Sequence, residues 1–247
     1  SSVMADPVQM RFGPCEPAHR QNISWSTERA ADSMSEQRAV MINGTVVSDG
    51  EGIPVGLDDG LVRGDGIFEG MRFYDRVPRS PELHLDRLTT SGEGSGIPVD
   101  RPLLRREMRA FCDATNSPNC GVRLMLTRGG HVIWREEPLP IFPDGEDLFP
   151  VAHRVTPLLV GVKTLSYAAN MRAQRMAKAE GAHDALCYRV DDRVILEGPT
   201  TAFAWLEGDT MMFPPLSAGV LDSITRRLAV EAVPCGEREM AIDDLAK

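Results

Sequence analysis

The chain has 247 residues, 42% of them hydrophobic and 26% charged, ordinary proportions for a globular protein with a sizeable core. Its formal net charge of −9 argues against nucleic-acid or anionic-membrane partners, while leaving room for one local basic pocket that holds a small anion. Five scattered cysteines (Cys15, Cys112, Cys120, Cys187, Cys235) are an odd number without metal-ligand spacing. No disulfide framework and no metal site are therefore expected, and a reducing cytoplasm is the expected compartment.

Residues 1–38 are polar, carry Pro14 and Pro17, and show no sustained period of two or 3.6, so they read as an N-terminal extension. Regular structure is expected from Val40-Met41-Ile42, through the turn dipeptide Asn43-Gly44, to Thr45-Val46-Val47, a β-hairpin. A loop rich in Gly and Asp follows over 58–66, then a strand over 67–74 and a turn over 75–80. His84 to Leu88 opens a short helix, and a second is expected over 102–115 with Leu104, Met108, Phe111 and Cys112 on one face. Val122, Leu124 and Leu126 alternate with polar positions and mark a strand. Residues 136–150 carry Pro138, Pro140, Pro143 and Pro150 and suggest a linker. Beyond it the pattern gives a strand near 151–156, a helix over 167–180 closed by Gly181, strands at 185–190, 193–196, 202–206 and 210–213, and a final helix opening at 221–225. Strands and helices mix without regular βαβ alternation, so the fold class is α+β. The domain reading is a small N-terminal domain over 39–140, a linker over 141–150 and a C-terminal domain over 151–247.

Several chemistries are excluded. Gly64-Asp65-Gly66-Ile67-Phe68-Glu69-Gly70 is one residue too long for a dinucleotide fingerprint and precedes a strand instead of following one. No phosphate-binding loop of the G-x-x-x-x-G-K-[ST] type, H-E-x-x-H or G-x-S-x-G is present. What remains is a set of separate groups. Lys163 lies among Val160, Val162 and Leu165 just before a helix; it is either an ordinary lysine with its ammonium in water, or one desolvated enough to attack a carbonyl. Glu197 ends an apolar strand 34 residues on, either as a turn residue or as a partner for a protonated ring nitrogen, with the hydroxyls of Thr200 and Thr201 following. The loop from Ser217 runs into a helix start at Ile224-Thr225, where free N–H groups can receive an anion, with Asp222 or Ser223 as N-cap. Arg87 would add a fixed cation.

The ordered set Gly64–Glu69, His84-Leu85-Asp86-Arg87-Leu88, Thr127-Arg128-Gly129, Lys163-Thr164-Leu165-Ser166-Tyr167, Glu197-Gly198 and Ile224-Thr225-Arg226 resembles the class IV aminotransferases, the fold type IV pyridoxal-phosphate enzymes. That family includes branched-chain and D-amino-acid aminotransferases and aminodeoxychorismate lyase. The resemblance spans roughly residues 40–245 and implies two α/β domains with pyridoxal 5'-phosphate in the cleft between them, in a homodimer. It implies Lys163 as the Schiff-base lysine and Glu197 as the partner of the pyridine nitrogen. Arg87, Ile224 and Thr225 match phosphate-binding positions, and Thr200 and Thr201 fall in the segment lining the site. Arg123, Arg128 and Tyr167 are candidates for contact with substrate. The implied substrates are an amino acid of branched-chain or D type and a 2-oxo acid; the alternatives are aminodeoxychorismate cleavage to pyruvate and 4-aminobenzoate, and a non-catalytic protein that keeps the fold. Two positions depart from the family pattern: Ala202 where Asn is usual, and Ser223 where Gly is common. The family pattern also continues past the position of Lys247 into a further strand and a Ser/Thr-bearing turn.

Overall fold

The computed structural model describes residues 38–47, 58–139 and 145–245, so the N-terminal extension up to residue 37 and residues 140–144 of the expected linker lie outside the described residues. The hairpin forms as expected: β1 (Val40–Ile42) and β2 (Thr45–Val47) pair antiparallel around Asn43 and Gly44, whose φ values of 49° and 78° give the turn its hand. The Gly/Asp-rich loop contains one short helix, α1 (Asp59–Val62), capped by Asp58, whose carboxylate accepts the Gly60 N–H at 2.7 Å.

The next strand, β3 (Gly66–Tyr74), holds Ile67, Glu69, Met71 and Phe73 on its inward face. It returns through β4 (Val77–Pro78), a short strand inside the stretch read as a turn. Helix α2 (Pro81–Ser95) is three turns longer than the His84–Leu88 segment that announces it, and α3 (Arg101–Ala114) starts at its cap Asp100, which accepts the Leu103 N–H. β5 (Cys120–Thr127) and β6 (Val132–Glu137), the latter not marked by the sequence pattern, complete an antiparallel six-stranded sheet in the order β2-β1-β6-β5-β3-β4. Both helices pack on one face of it around Leu85, Leu88, Leu104, Met108, Phe111 and Trp134. The other face carries Phe68, Gly70, Arg123 and Glu137, one position out of step with Ile67, Glu69, Met71, Val122 and Glu136, as a period of two requires.

β7 (Leu148–His153) starts inside the stretch read as linker and pairs in parallel with β8 (Asp184–Arg189), with α4 (Ala168–Ala179) packed against both. Gly181, at φ +80°, follows the end of α4 in the left-handed conformation that a helix stop favours. The expected strand at 193–196 is instead a narrow return onto β8, held by the Arg189 N–H to the Val194 carbonyl and the Leu196 N–H to the Cys187 carbonyl. A second small sheet, in the order β11-β10-β9, comprises β9 (Trp205–Glu207), β10 (Thr210–Phe213) and β11 (Cys235–Glu237), with α5 (Ile224–Ala232) between its last two strands in sequence. The mixture is α+β, as the sequence indicated. Among the described residues no helix is long and apolar enough to cross a membrane.

Candidate active site

Lys163 is fixed through its backbone. Its carbonyl accepts the Phe68 N–H at 2.9 Å, its N–H donates to the buried Ser91 Oγ at 3.1 Å, and two residues on Leu165 donates to the Gly66 carbonyl at 2.8 Å. Gly66 permits that approach: a Cβ there would stand 2.4 Å from Leu165 Cδ1 and 2.7 Å from the Leu126 carbonyl. The side chain then passes over β3, placing Nζ 4.5 Å from the centroid of the Phe68 ring. Burial there, reinforced by the positive charge of Arg87, pushes the ammonium from its usual 10.5 down to about 8, against the pull of Glu69 and Glu197. Of the two readings open from the sequence, this burial favours the desolvated lysine.

Glu197 hangs at the end of the return onto β8, its carbonyl accepting the Cys187 N–H at 3.0 Å. Its Oε1 accepts the Leu221 N–H at 3.1 Å, and its Oε2 has no hydrogen-bond donor among the described residues. Burial raises this carboxyl to about 7, although the Leu221 bond, Lys163 and Arg87 all favour ionisation. Glu197 and Lys163 thus act on each other electrostatically. An under-partnered carboxylate of this kind fits a cationic occupant.

Arg87 is almost fully buried, and the reason was not visible beforehand: Glu69 (0% exposed) takes its Nε at 2.8 Å and its Nη2 at 2.7 Å. His84 Nδ1, one helical turn before Arg87, donates to the same carboxylate at 2.8 Å. Burial opposes ionisation of Glu69, but these two partners outweigh it and hold the carboxyl below its usual range. The remaining edge of Arg87 reaches the Asp222 carbonyl at 3.2 Å, which ties α2 to the start of α5. There Ser223 is the cap, accepting the Arg226 N–H at 2.9 Å, so the N–H groups of Ile224 and Thr225 remain in the first turn beside Arg87. Arg226 itself is structural, buried against Phe213 and bonded to the Pro214 carbonyl and Glu237.

The remaining candidates divide. Tyr167 meets Phe68 edge-on at 5.2 Å and donates its hydroxyl to the Pro199 carbonyl, which Asn170 also binds at 3.0 Å. Burial, with Glu197 nearby, lifts the Tyr167 phenol to about 12, so it stays a neutral wall. Arg123 lies over the same Phe68 ring at 4.8 Å and pairs with Glu137. Arg128 is half-exposed and fully committed, to both oxygens of Asp65 and to the Ser95 and Gly96 carbonyls, where it fastens the end of α2 to the 64–66 turn. Thr200 and Thr201 are exposed; Thr201 lines a cavity of about 360 Å³ with Leu148, Leu186, Gly198 and Phe203, which includes neither Lys163 nor Glu197. Sequence reasoning missed Ser91 and Glu137, and gave no role to Phe68, Glu69 and His84 although they lie within the motifs that carry the resemblance. One signal for Glu69 was available: it occupies an inward position between Ile67 and Met71, where a charge demands a buried partner.

The family described as amino-transferase class IV matches residues 66–247. A Methanocaldococcus jannaschii protein named for branched-chain-amino-acid aminotransferase activity is 27% identical over 83% of this chain and 80% of its own length. A bifunctional aminodeoxychorismate lyase / D-amino acid transaminase of Mycobacterium tuberculosis is 27% identical over 83% of each. Among solved structures, a hypothetical aminotransferase from Mycobacterium tuberculosis in its α-ketoglutarate- and PMP-bound form is 26% identical, covering 84% of this chain and 83% of that one with a TM-score of 0.74. The chain belongs to the class IV aminotransferase family of pyridoxal-phosphate enzymes, which embraces aminotransferases and aminodeoxychorismate lyases.

Proposed function

We propose that this protein is an aminotransferase that moves an amino group between an amino acid, of branched-chain or D type, and a 2-oxo acid. The observation that carries the reading is Lys163: an amine drawn out of water over Phe68, acting electrostatically on Glu197 and Arg87. The donor set suits pyridoxal phosphate chemically. Lys163 offers an amine for its aldehyde, Oε2 of Glu197 a free acceptor for its ring nitrogen, and Arg87 with the Ile224 and Thr225 N–H groups a place for its phosphate. When bound, the cofactor supplies an electron-withdrawing ring that stabilises negative charge at the substrate α-carbon.

The chain's own residues do the rest. With its ammonium near 8, Lys163 is neutral in a useful fraction of molecules near neutral pH and can take a proton from the substrate α-carbon and return it to another position. Glu197 contributes the negative charge that keeps a ring nitrogen protonated. Phe68 and Tyr167 exclude water from the lysine, and the Ser91 and Gly66 bonds fix its backbone. Arg123 supplies a cation for a carboxylate on the substrate. We further read the site as lying between an N-terminal and a C-terminal domain, in a cytoplasmic homodimer.

Two experiments test this. Adding pyridoxal phosphate should turn the protein yellow, and borohydride reduction followed by peptide mass mapping should place the fixed cofactor on Lys163. A colourless protein, or an adduct on another lysine, would overturn the assignment. Leucine or D-alanine with 2-oxoglutarate should yield glutamate; release of pyruvate and 4-aminobenzoate from aminodeoxychorismate, without transamination, would transfer the protein to the lyase branch.

A further inference from the structure

Arg123 is placed by register. It faces Gly70 across β3 and β5, while Glu137 faces Gly121 across β5 and β6. Both therefore stand on the sheet face opposite α2 and α3, the face over which Lys163 extends. A Cβ on Gly70 would meet nothing within 4 Å among the described residues, so there is open space directly beside Arg123. The Phe68 ring carries two cations, Lys163 Nζ at 4.5 Å and the Arg123 guanidinium at 4.8 Å from its centroid.

The Arg123–Glu137 pair uses only one edge of the guanidinium. Nε donates to Oε1 at 2.7 Å and Nη2 to Oε2 at 3.1 Å. The other edge, formed by Nη1 and the second Nη2 hydrogen, has no acceptor among the described residues. A planar guanidinium can bind two carboxylates at once in this way, one along each edge. The pair is about a third exposed on each side (31% and 27%), enough to be reached by a substrate and enough burial for charge balance to matter.

We propose that Glu137 is a specificity-determining residue: it holds Arg123 by one edge, leaves the other for a substrate carboxylate, and cancels the arginine's charge when the substrate side chain is uncharged. The proposal rests on the reading that Arg123 faces the substrate. A transaminating site must hold its amino donor and its oxo-acid acceptor in turn, and an uncompensated guanidinium beside an apolar side chain is costly. Glu137 lets one pocket accept both kinds of side chain. Replacing it with a neutral residue should shift the pocket toward acidic ligands, because the full charge of Arg123 is then offered to them.

The test is an equilibrium titration of the cofactor-loaded enzyme, read by calorimetry, with two unreactive ligands: glutarate, which has two carboxylates, and 4-methylpentanoate, which has one. In Glu137→Gln the ratio of 4-methylpentanoate Kd to glutarate Kd should rise roughly fivefold to tenfold. Glutarate binding should also become more sensitive to added salt. Should the Gln variant not fold, Glu137→Thr carries the same expectation. Arg123→Met should abolish any preference for glutarate. An unchanged ratio in Glu137→Gln, with Arg123→Met behaving as expected, overturns the role of Glu137 alone. A glutarate preference that survives Arg123→Met overturns the reading of Arg123 itself, and the proposal with it.

Discussion

The desolvated state of Lys163 makes a prediction about stability that needs no substrate. In the folded chain its ammonium falls from 10.5 to about 8. At about 1.4 kcal/mol per unit this would cost roughly 3 kcal/mol for a fully sealed group. Lys163 keeps partial access to solvent, so about half, ~1.5 kcal/mol, is the working figure. The sign follows from linkage. The unfolded chain holds the proton more tightly than the folded one, so the penalty is complete below pH 8 and disappears as the pH rises toward 10.5. Lys163→Met removes the titrating group and keeps an apolar chain against Phe68. Cofactor-free wild type and variant should be unfolded in urea at a series of pH values from 7 to 10.5. The variant should be the more stable at neutral pH, by about 3–6 °C in Tm for a chain of this size. The gap should close by ~1.5 kcal/mol across the series, and it is read between pH 8 and 10.5, above the pH near 7 where Glu197, the acid coupled to Lys163, titrates. A gap that stays flat, or widens with pH, would refute the account of Lys163 as a desolvated amine.

Other outcomes follow from the same geometry. Glu197 is an acid raised to about 7 from 4.5, so the folded chain holds its proton more tightly; wild type should lose stability relative to Glu197→Gln as pH rises from 4.5 through 7, measured by paired urea titrations. The same variant should still fix the cofactor on Lys163 while turning over at least about a hundredfold more slowly, read by steady-state assay. Glu69→Gln leaves the buried Arg87 charge without its counterion and should cost about 3–5 kcal/mol in thermal or urea unfolding, a loss under 1 kcal/mol (about the worth of an exposed pair) contradicting the buried triad. Gly66→Ala drives a methyl into Leu165 and the Leu126 carbonyl and should cost about 1–3 kcal/mol and weaken cofactor binding, which a visible-absorbance titration measures.

Some of this was legible from local chemistry. The Asn43-Gly44 hairpin, the alternating strands β3 and β5 and the apolar stripe of α3 follow from rules that act within a few residues. The length of α2 did not. Thr89 to Ser95 contains small polar residues and two glycines, which suggest an ending at Leu88. The helix continues because Thr89, Thr90 and Ser95 bond their hydroxyls to carbonyls one turn back, and because Gly92 packs where any Cβ would strike the Ile97 carbonyl at 2.6 Å. That close approach is a tertiary fact. β6 was hidden for a related reason: its Val132-Ile133-Trp134 core is followed by three charged residues, of which Glu136 is buried only because the N–H groups of Ala39, Asn116 and Ser117 converge on it.

The identity of the chemical groups was set by the sequence alone: a lysine, a glutamate, an arginine and a helix start, in an order that resembles one family and matches it along most of the chain. Which of them are drawn out of water, and what each touches, only the tertiary structure decided. Desolvation and charge pairing depend on groups far apart in the chain: Glu69 with Arg87, Phe68 with Lys163, Leu221 with Glu197, Glu137 with Arg123. No local pattern encodes those distances, because they are fixed by how the sheet, α2 and the return onto β8 pack together.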